Sequence, residues 1–212
     1  NDPTLDRNPQ YTDYSAHGLL KDTIRESGKG TGIELTTTVD YDAFGNIDTE
    51  TVSGPGITTR TASMTYDSRG QFVTTLLNPL NHQVNRTWDK RFGKMTSETD
   101  PNNLTTTWTY TNFGQVTQET KPDGATRDTS IHEDHSGNNP HAVYYIETVE
   151  SGKAAVREFY DLLGRKTRVR TQAFDGSYTQ QDTEYNSKGH AYRTSDPYFV
   201  GDTVYWNTST ID

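Results

Sequence analysis

Apolar and polar side chains alternate along much of the chain with a period of two. In segment 105–110, TTTWTY, the even-numbered positions include Trp108 and Tyr110, and the odd-numbered positions are all threonine. Strand side chains point alternately to two faces, whereas helical side chains recur about every 3.6 residues, so this pattern indicates a half-buried β-strand. Segments 36–41, 62–66, 83–88 and 182–185 have the same pattern. Since no stretch has the apolar spacing of an amphipathic helix, the pattern predicts an all-β protein.

A Tyr-Asp-x-x-Gly motif, the YD motif, follows these segments at regular intervals. Three copies are intact, at 41–45, 66–70 and 160–164, and copies at 14–18, 110–114 and 185–189 keep the tyrosine and the glycine. The copy at 88–93 has a tryptophan and one additional residue, and the copy at 133–137 keeps only the aspartate and the glycine. The copies start at 14, 41, 66, 88, 110, 133, 160 and 185, so they are 22 to 27 residues apart. Such even spacing indicates a repeat protein.

A second set of turn-forming residues lies between successive YD motifs. Examples are Gly-Pro-Gly at 54–56, Asp-Pro-Asn-Asn at 100–103 and Pro-Asp-Gly at 122–124. Glycine reaches positive φ, proline presets φ, and aspartate or asparagine bonds to its own backbone, so each of these sequences favours a turn. Each repeat is therefore predicted to hold two turns and two strands, which makes about sixteen strands of ordinary length in all.

The residue types of the YD motif have predictable structural roles. We expect the aromatic residue to end a strand and pack over its neighbour, the aspartate to accept hydrogen bonds from turn amides, and the glycine to adopt a left-handed conformation. Equivalent rings at 41, 66, 88 and 110 are expected to stack as an aromatic ladder. The residues to which these roles are assigned are Tyr14, Gly18, Tyr41, Asp42, Gly45, Tyr66, Asp67, Gly70, Trp88, Asp89, Gly93, Tyr110, Gly114, Asp134, Gly137, Tyr160, Asp161, Gly164, Tyr185 and Gly189.

The composition predicts a thin body with a limited core. Hydrophobic residues make up 29% of the 212 residues, and the mean hydropathy is −0.94. Disordered chains are similarly polar but poor in aromatic residues, whereas this chain has 13 tyrosines, 7 phenylalanines and 3 tryptophans. The absence of cysteine excludes disulfides and thiolate chemistry. No apolar run approaches the roughly 20 residues that a membrane span requires.

The charge disfavours nucleic acid as a partner. The net charge is −9, and phosphate backbones are bound by clustered lysine and arginine. The densest basic group is Arg165, Lys166, Arg168 and Arg170. On a strand, the last three would share one face and Arg165 would point the other way. We interpret that face as solvated.

One segment has the composition of a metal site. His132 and His135 flank Glu133 and Asp134, and His141 follows nearby. Histidine and carboxylate side chains can bind a divalent ion such as Zn²⁺, so a metallohydrolase is one alternative. However, the segment lies where a YD motif is due, and no helix provides the geometry of helical zinc motifs. We interpret it as a polar loop and assign no catalytic residue, metal or cofactor.

The YD motifs resemble those of the YD-repeat or Rhs-repeat family. This family includes Rhs proteins, the B–C component of Tc insecticidal toxins, bacterial wall-associated proteins and animal teneurins, and the resemblance extends from about residue 11 to residue 212. It implies stacked antiparallel β-hairpins that form a curved open sheet, an arc of a hollow shell. In bacterial toxins of this type the shell encloses a C-terminal toxic domain, and in teneurins it is an extracellular scaffold.

The resemblance implies a structural, non-enzymatic segment of a larger secreted or cell-surface protein, of bacterial origin. We expect one repeat array over residues 1–212 with a lead-in at 1–10. The start at Asn1, without methionine or a signal-peptide pattern, leads us to expect a fragment excised from a longer chain. The resemblance implies that its partner is the remainder of the same polypeptide, the shell and its enclosed C-terminal domain. Exposed sheet edges favour edge-to-edge self-association, and neither nucleic-acid binding nor membrane insertion is expected. The alternative is a module that binds carbohydrate or a cell surface through exposed aromatic residues.

Overall fold

The computed structural model describes residues 9–25, 34–135 and 141–209. These residues contain eighteen β-strands and no helix, and their strand pairings are antiparallel. The prediction of an all-β array of antiparallel hairpins is confirmed. The chain divides into two compact units, residues 1–106 and 107–212. In the described ranges there is no helix long and apolar enough to cross a membrane.

The first unit is a run of antiparallel strands in sequence order. Its strands are β1 (Gln10–Tyr14), β2 (Leu20–Arg25), β3 (Leu35–Tyr41), β4 (Ile47–Ser53), β5 (Arg60–Tyr66), β6 (Val73–Leu77), β7 (Gln83–Asp89) and β8 (Lys94–Thr99), and β9 (Thr105–Tyr110) begins at its end. Each strand from β1 to β7 pairs with the next one, so Thr37 of β3 lies opposite Val52 of β4. One repeat of the sequence therefore corresponds to two strands of the sheet.

The second unit has the same arrangement until its last strands. Its strands after β9 are β10 (Val116–Thr120), β11 (Thr126–Glu133), β12 (Tyr144–Glu150), β13 (Val156–Tyr160), β14 (Lys166–Gln172), β15 (Tyr178–Tyr185), β16 (Ala191–Ser195), β17 (Tyr198–Phe199) and β18 (Trp206–Thr208). Neighbours in sequence pair from β9 to β16. In contrast, β17 pairs with β15 and β18 pairs with β16. These two short strands exceed the sixteen that the repeat count predicts.

A β-bulge occurs where a strand reaches its YD motif. The register shifts between Asp40 and Tyr41 in β3 and between Thr65 and Tyr66 in β5. The same shift precedes Trp88, Tyr160 and Tyr185. A turn that ends in a left-handed residue closes a hairpin with such a bulge. The bulge increases the local twist and directs the motif aromatic toward the preceding hairpin.

The apolar interior is thin. Among the described residues, only Ala155 and Phe159 are buried apolar side chains, 8% and 3% exposed. The buried polar residues are Asp161, Thr167, Arg168, Gln180 and Ser195. Repeat arrays bury surface mainly against adjacent repeats, so their stability depends on contacts between neighbouring hairpins.

Candidate functional site

Most of the described YD motifs close their hairpins with the same backbone geometry. At the first intact motif, the amide of Gly45 donates to the carbonyl of Asp42 (3.1 Å), and the amide of Asp42 donates to the carbonyl of Asn46 (2.8 Å). Gly45 has a φ of 84°, which glycine adopts at little cost. The other motif glycines with positive φ are Gly18, Gly70, Gly93, Gly114, Gly164 and Gly189. Gly137 lies outside the described residues.

The polar residue that opens each motif turn accepts hydrogen bonds from the turn amides. Oδ1 of Asp42 accepts from the amides of Phe44 and Asn46, both at 2.8 Å. Equivalent amide hydrogen bonds are accepted by Ser15, Asp89, Thr111, Asp161 and Asn186. Aspartate, asparagine, serine and threonine are therefore interchangeable here because each presents an oxygen at the right distance.

Asp67 has an additional cation beside its turn. Its Oδ1 accepts from the amides of Gln71 (2.8 Å) and Phe72 (3.3 Å), and its Oδ2 lies 3.1 Å from Nζ of Lys90 in the next motif. The hydrogen bond from Gln71 and the charge of Lys90 lower the pKa of Asp67 to about 2. The carboxylate thus joins two consecutive turns.

The turns between YD motifs use the same geometry. Oδ1 of Asp100 accepts from the amides of Asn102 (2.8 Å) and Leu104 (2.9 Å). The left-handed position is held by Asn103, with a φ of 63°, and in the preceding such turn by Asn81, with a φ of 62°. Asparagine tolerates this region better than most non-glycine residues. Both ends of the hairpins are thus closed by local backbone chemistry.

Successive motif turns also contact one another directly. Nδ2 of Asn46 donates a 2.8 Å hydrogen bond to the carbonyl of Gly70 in the next motif. The ring of Phe44 covers Gly70 so closely that an added Cβ would lie 2.5 Å from its Cγ. Each turn therefore helps to position the turn that follows it.

The motif aromatic carries a polar link to the preceding hairpin. The hydroxyl of Tyr66 donates a 3.0 Å hydrogen bond to the carbonyl of Ile47, two residues after Gly45. Equivalent bonds join Tyr41 to Leu20 (2.5 Å), Trp88 Nε1 to Val73 (2.7 Å) and Tyr185 to Lys166 (2.9 Å). Tyrosine and tryptophan each have a ring donor, which phenylalanine lacks. We call these bonds the interhairpin hydrogen bonds.

The predicted aromatic ladder is wrong for the rings that can be compared. In the described part of the chain, no ring stack joins Tyr41 to Tyr66 or Tyr66 to Trp88, and Trp88 stacks on Phe72 at 5.2 Å. Equivalent positions are separated by an intervening strand, hence by about 10 Å, which exceeds the stacking range of about 4.5–7 Å. Tyr110 ends β9 as its motif position requires.

Three motif positions have other partners or surroundings. Tyr160 donates to Oε2 of Glu158 (3.0 Å), and burial together with that carboxylate raises the pKa of Tyr160 to about 12. Tyr14 is 55% exposed. The amide of Asp134 donates to the carbonyl of Val143 (2.9 Å). The amide of Asp134 thus bonds to a residue nine positions ahead, whereas that of Asp42 bonds to one four positions ahead.

Two of the candidate metal ligands bind different partners. Nε2 of His132 lies 2.8 Å from Oγ of Ser130, and its ring stacks on Tyr145 at 4.9 Å. Nε2 of His135 lies 2.9 Å from Oε2 of Glu133, and both of these side chains are largely exposed. The two histidines therefore belong to separate contacts.

His141 lies in another environment. It lines an open cleft of about 530 Å³ together with Asp161 and Glu184. In the described ranges, no group of three or more histidine, cysteine, aspartate or glutamate residues is arranged to hold a metal ion. The structure does not bring the three histidines together as ligands of one site.

The interpretation of the basic strand face as solvated is wrong for Arg168. This side chain is 9% exposed, and its guanidinium donates to both carboxylate oxygens of Asp182, at 2.5 and 2.9 Å. Tyr198 of β17 donates to the same carboxylate at 2.6 Å. Arg168 and Asp182 are register partners in β14 and β15, and β17 covers this end of the sheet. Lys166 is exposed and pairs with Glu158.

The motif geometry agrees with a comparison to known families. The profile of the RHS repeat family matches residues 88–126, which include the YD motifs that start at 88 and 110. This match covers about a fifth of the chain. The resemblance drawn from the YD motifs is thereby confirmed. No curated protein sequence matches this chain at a significant level.

The fold of this chain is found within larger solved structures. The crystal structure of TcdB2-TccC3-Cdc42 covers 89% of the chain at 12% identity with a TM-score of 0.53. The crystal structure of TcdB2-TccC3 also covers 89%, at 13% identity with a TM-score of 0.52. This protein spans only 12% of the length of each of those chains. At such low identity the likeness shows the fold alone.

Sequence reasoning missed the interhairpin hydrogen bonds, although a signal for them exists. Seven of the eight motif copies start with tyrosine or tryptophan and none with phenylalanine, yet the chain contains seven phenylalanines. A position that requires only packing would accept phenylalanine. The preference therefore indicates a role for the ring donor, which is used at Tyr41, Tyr66, Trp88 and Tyr185.

Proposed function

We propose that this protein is a structural scaffold segment of a larger secreted or cell-surface bacterial protein with RHS repeats, in which it forms part of a β-shell. The shell would enclose or display another part of the same polypeptide, such as a toxin domain. The observation that carries this proposal is the interhairpin hydrogen bond from four of the motif aromatics to the hairpin before them, as from Tyr66 to Ile47.

These links favour a scaffold because they depend only on neighbouring repeats. A hairpin that bonds to the one before it can be added repeatedly without a common core, and stability is then shared along the array. The thin apolar interior, with Phe159 as its most buried apolar side chain, supports the same interpretation. An array of this kind encloses space by extension of the sheet.

The polar groups of the motifs support a structural rather than a catalytic role. Carboxylates such as Asp42 and Asp161 accept amide hydrogen bonds of their own turns. Asp161 is also bound by Arg165 at 2.7 Å. A catalytic carboxylate needs an oxygen directed at a substrate, whereas these oxygens are directed into the turn.

The small fraction of the matched solved chains that this protein covers supports its assignment as a segment of a larger assembly. The protein corresponds to 12% of the TcdB2-TccC3 chain, so a shell would require much more of the same sheet. The neighbours that we propose for its outer strands are further hairpins of its own polypeptide. In isolation, β1 at one end of the array is expected to favour edge-to-edge self-association.

Electron microscopy of the full-length parent protein tests the proposal. A closed density with an internal cavity is expected, with the hairpins of this segment in the wall. A solid particle without a cavity would refute the shell. Sedimentation of the 212-residue chain alone tests whether the exposed edge strand causes self-association, because the associated fraction should then increase with protein concentration.

Carbohydrate or cell-surface binding is the second candidate, and exposed rings favour it. Tyr11, Phe113 and Tyr205 are 56%, 89% and 69% exposed. Aromatic faces stack on sugars, but these rings are also positioned to contact neighbouring protein. A glycan array decides between the two, because a scaffold should show no sugar-specific signal.

A further inference from the structure

A cavity of about 480 Å³ opens in the second unit beside the buried ion pair of Arg168 and Asp182. Its wall contains the guanidinium of Arg170, the ring of Tyr178 and the apolar side chains of Phe199 and Val200. This volume lies within the range of small-ligand sites, and such sites combine apolar walls with a few fixed polar groups. The YD motifs do not account for this combination.

Arg170 differs from the two arginines that surround it. Arg168 is paired with Asp182, and Arg157 donates to Glu147 at 2.7 Å. In the described part of the chain, the guanidinium of Arg170 has no ion pair, and its Nε donates to the neutral Oε1 of Gln180 at 2.8 Å. The carboxylates of Asp134 and Asp182 act on this charge without forming an ion pair with it.

The position of Arg170 is fixed by its neighbours. Its guanidinium lies over the ring of Phe159, 5.3 Å from the centroid, and Gln180 holds its Nε. The remaining nitrogens keep a planar set of donors, which fits the two oxygens of a carboxylate. The group is thus oriented before a ligand arrives.

Electrostatics favour an anion at this place. Burial and the adjacent charge of Arg168 lower the pKa of Arg170 below its usual value, with Arg157 adding to the effect and Asp134 and Asp182 opposing it. A cation that is destabilised in this way gains from a counter-ion at hydrogen-bond distance. The rest of the protein is acidic, with a net charge of −9, so this spot contrasts with its surroundings.

We propose that this cavity, beyond the scaffold role, binds a small carboxylate ligand. The carboxylate is held by the free nitrogens of Arg170, and the ring or apolar remainder of the ligand lies against Tyr178 and Phe199. Tyr178 is oriented for this contact because Arg157 lies over its ring at 4.9 Å.

Calorimetric titration of the 212-residue chain with glucuronic acid and with benzoic acid tests the site. Glucose and benzamide are the neutral counterparts. We expect one or both acids to bind more tightly than the matching neutral compound. Tighter binding of glucuronic acid than of benzoic acid identifies a sugar-derived ligand, and the reverse order identifies an aromatic ligand. No binding by either acid up to its solubility limit, or equal binding of acid and neutral compound, would overturn the proposal.

Variants locate the binding. Arg170→Gln should weaken acid binding about tenfold or more, as expected for the loss of a charge-assisted hydrogen bond. Arg69→Gln removes the same charge from an exposed turn in the first unit and should leave the affinity unchanged. Undiminished affinity in Arg170→Gln overturns the proposal.

A second measurement covers the case in which Arg170→Gln does not fold. In the unaltered chain, added acid should shift the NMR signals of the Arg170 side-chain Nε–H and of Tyr178 more than those elsewhere. Shifts centred on other residues overturn the proposal. This test is independent of the shell, since its outcome does not depend on the parent protein.

Discussion

The hydroxyl of Tyr66 donates a 3.0 Å hydrogen bond to the backbone carbonyl of Ile47, the first residue of the neighbouring strand β4. The bond spans 19 positions of sequence and joins one YD motif to the strand that leaves the motif before it. Because the acceptor is a backbone oxygen, its presence does not depend on the side chain at position 47. The link can therefore recur in repeats whose other residues differ.

Replacing Tyr66→Phe is expected to lower the free energy of unfolding by about 1 kcal/mol. The ring still packs, but the hydrogen bond is lost and the part-buried carbonyl of Ile47 loses its partner. Urea unfolding followed by circular dichroism measures the effect. Tyr205→Phe, at a ring that is 69% exposed, serves as the control and should change stability by less than about 0.5 kcal/mol. Equal midpoints for the two variants would show that the bond contributes nothing.

Gly70→Ala is expected to destabilise the protein more than Gly56→Ala. Both glycines have positive φ, 65° and 73°, so each alanine costs about 1–2 kcal/mol for the left-handed conformation. Only at Gly70 does the new methyl group also meet Phe44, 2.5 Å from Cγ and 2.8 Å from Cβ, whereas Gly56 faces open space. Gly70→Ala should therefore lower the free energy of unfolding by about 1 kcal/mol or more beyond the loss caused by Gly56→Ala.

The same unfolding experiment in a Phe44→Ala background provides the check on Gly70→Ala. Removing the ring should bring the costs of Gly70→Ala and Gly56→Ala close together. A difference that persists without the ring would mean that the close contact at Gly70 is not its cause.

Asp67 is expected to make the protein sensitive to acid below about pH 4. Its pKa is about 2 in the folded chain, lowered by the amide of Gln71 and by Lys90, against an ordinary value of about 3.9. The unfolded chain therefore binds the proton more strongly, so the stabilisation is complete above about pH 4 and is lost as the pH falls toward 2. NMR titration of the Asp67 carboxyl carbon measures the pKa directly.

Lys90→Gln separates the two causes of that pKa. The variant should titrate higher than the unaltered protein but still below the ordinary range, because the bond from Gln71 is kept. A carboxyl that titrates at about 3.9 in the unaltered chain would contradict the structure.

Asp182→Asn is expected to destabilise the protein by about 3 kcal/mol or more. The change leaves Arg168, 9% exposed, without the carboxylate that it binds through two hydrogen bonds. The matched control is Glu98→Gln, which breaks the half-exposed pair with Arg86 and should cost at most about 1 kcal/mol. Thermal or urea unfolding of both variants gives the comparison, and similar losses would contradict the burial of Arg168.

The hairpin array could be predicted from sequence because turn chemistry is local. Asp42 and Gly45 lie within one turn, and the hydrogen bonds and φ values that define it depend on residues at most four positions apart. The alternation of apolar and polar residues predicts the strands between the turns, and the predicted segment 105–110 coincides with β9 (Thr105–Tyr110). Repetition of both signals was enough to predict the fold class and the resemblance to RHS repeats.

Side-chain partners across the sheet were decided only by the tertiary structure. Arg168 and Asp182 are fourteen positions apart, and a shift of one residue in the register of β14 and β15 would place them on opposite faces. Sequence alternation places Arg168 and Lys166 on one face of the strand but does not tell which of the two side chains is buried. The burial of Arg168 depends on β17, and no repeat in the sequence predicts that β17 pairs with β15.

By itself, then, the sequence determined where the backbone reverses and which residues close each turn, since these properties arise within a few neighbouring positions. Only the tertiary structure decided that the motif tyrosine bonds to a distant backbone carbonyl, that Arg168 is buried, and that Arg170 borders a cavity. Each of these depends on strand register and on the return of the last strands, which bring together groups that local chemistry cannot relate.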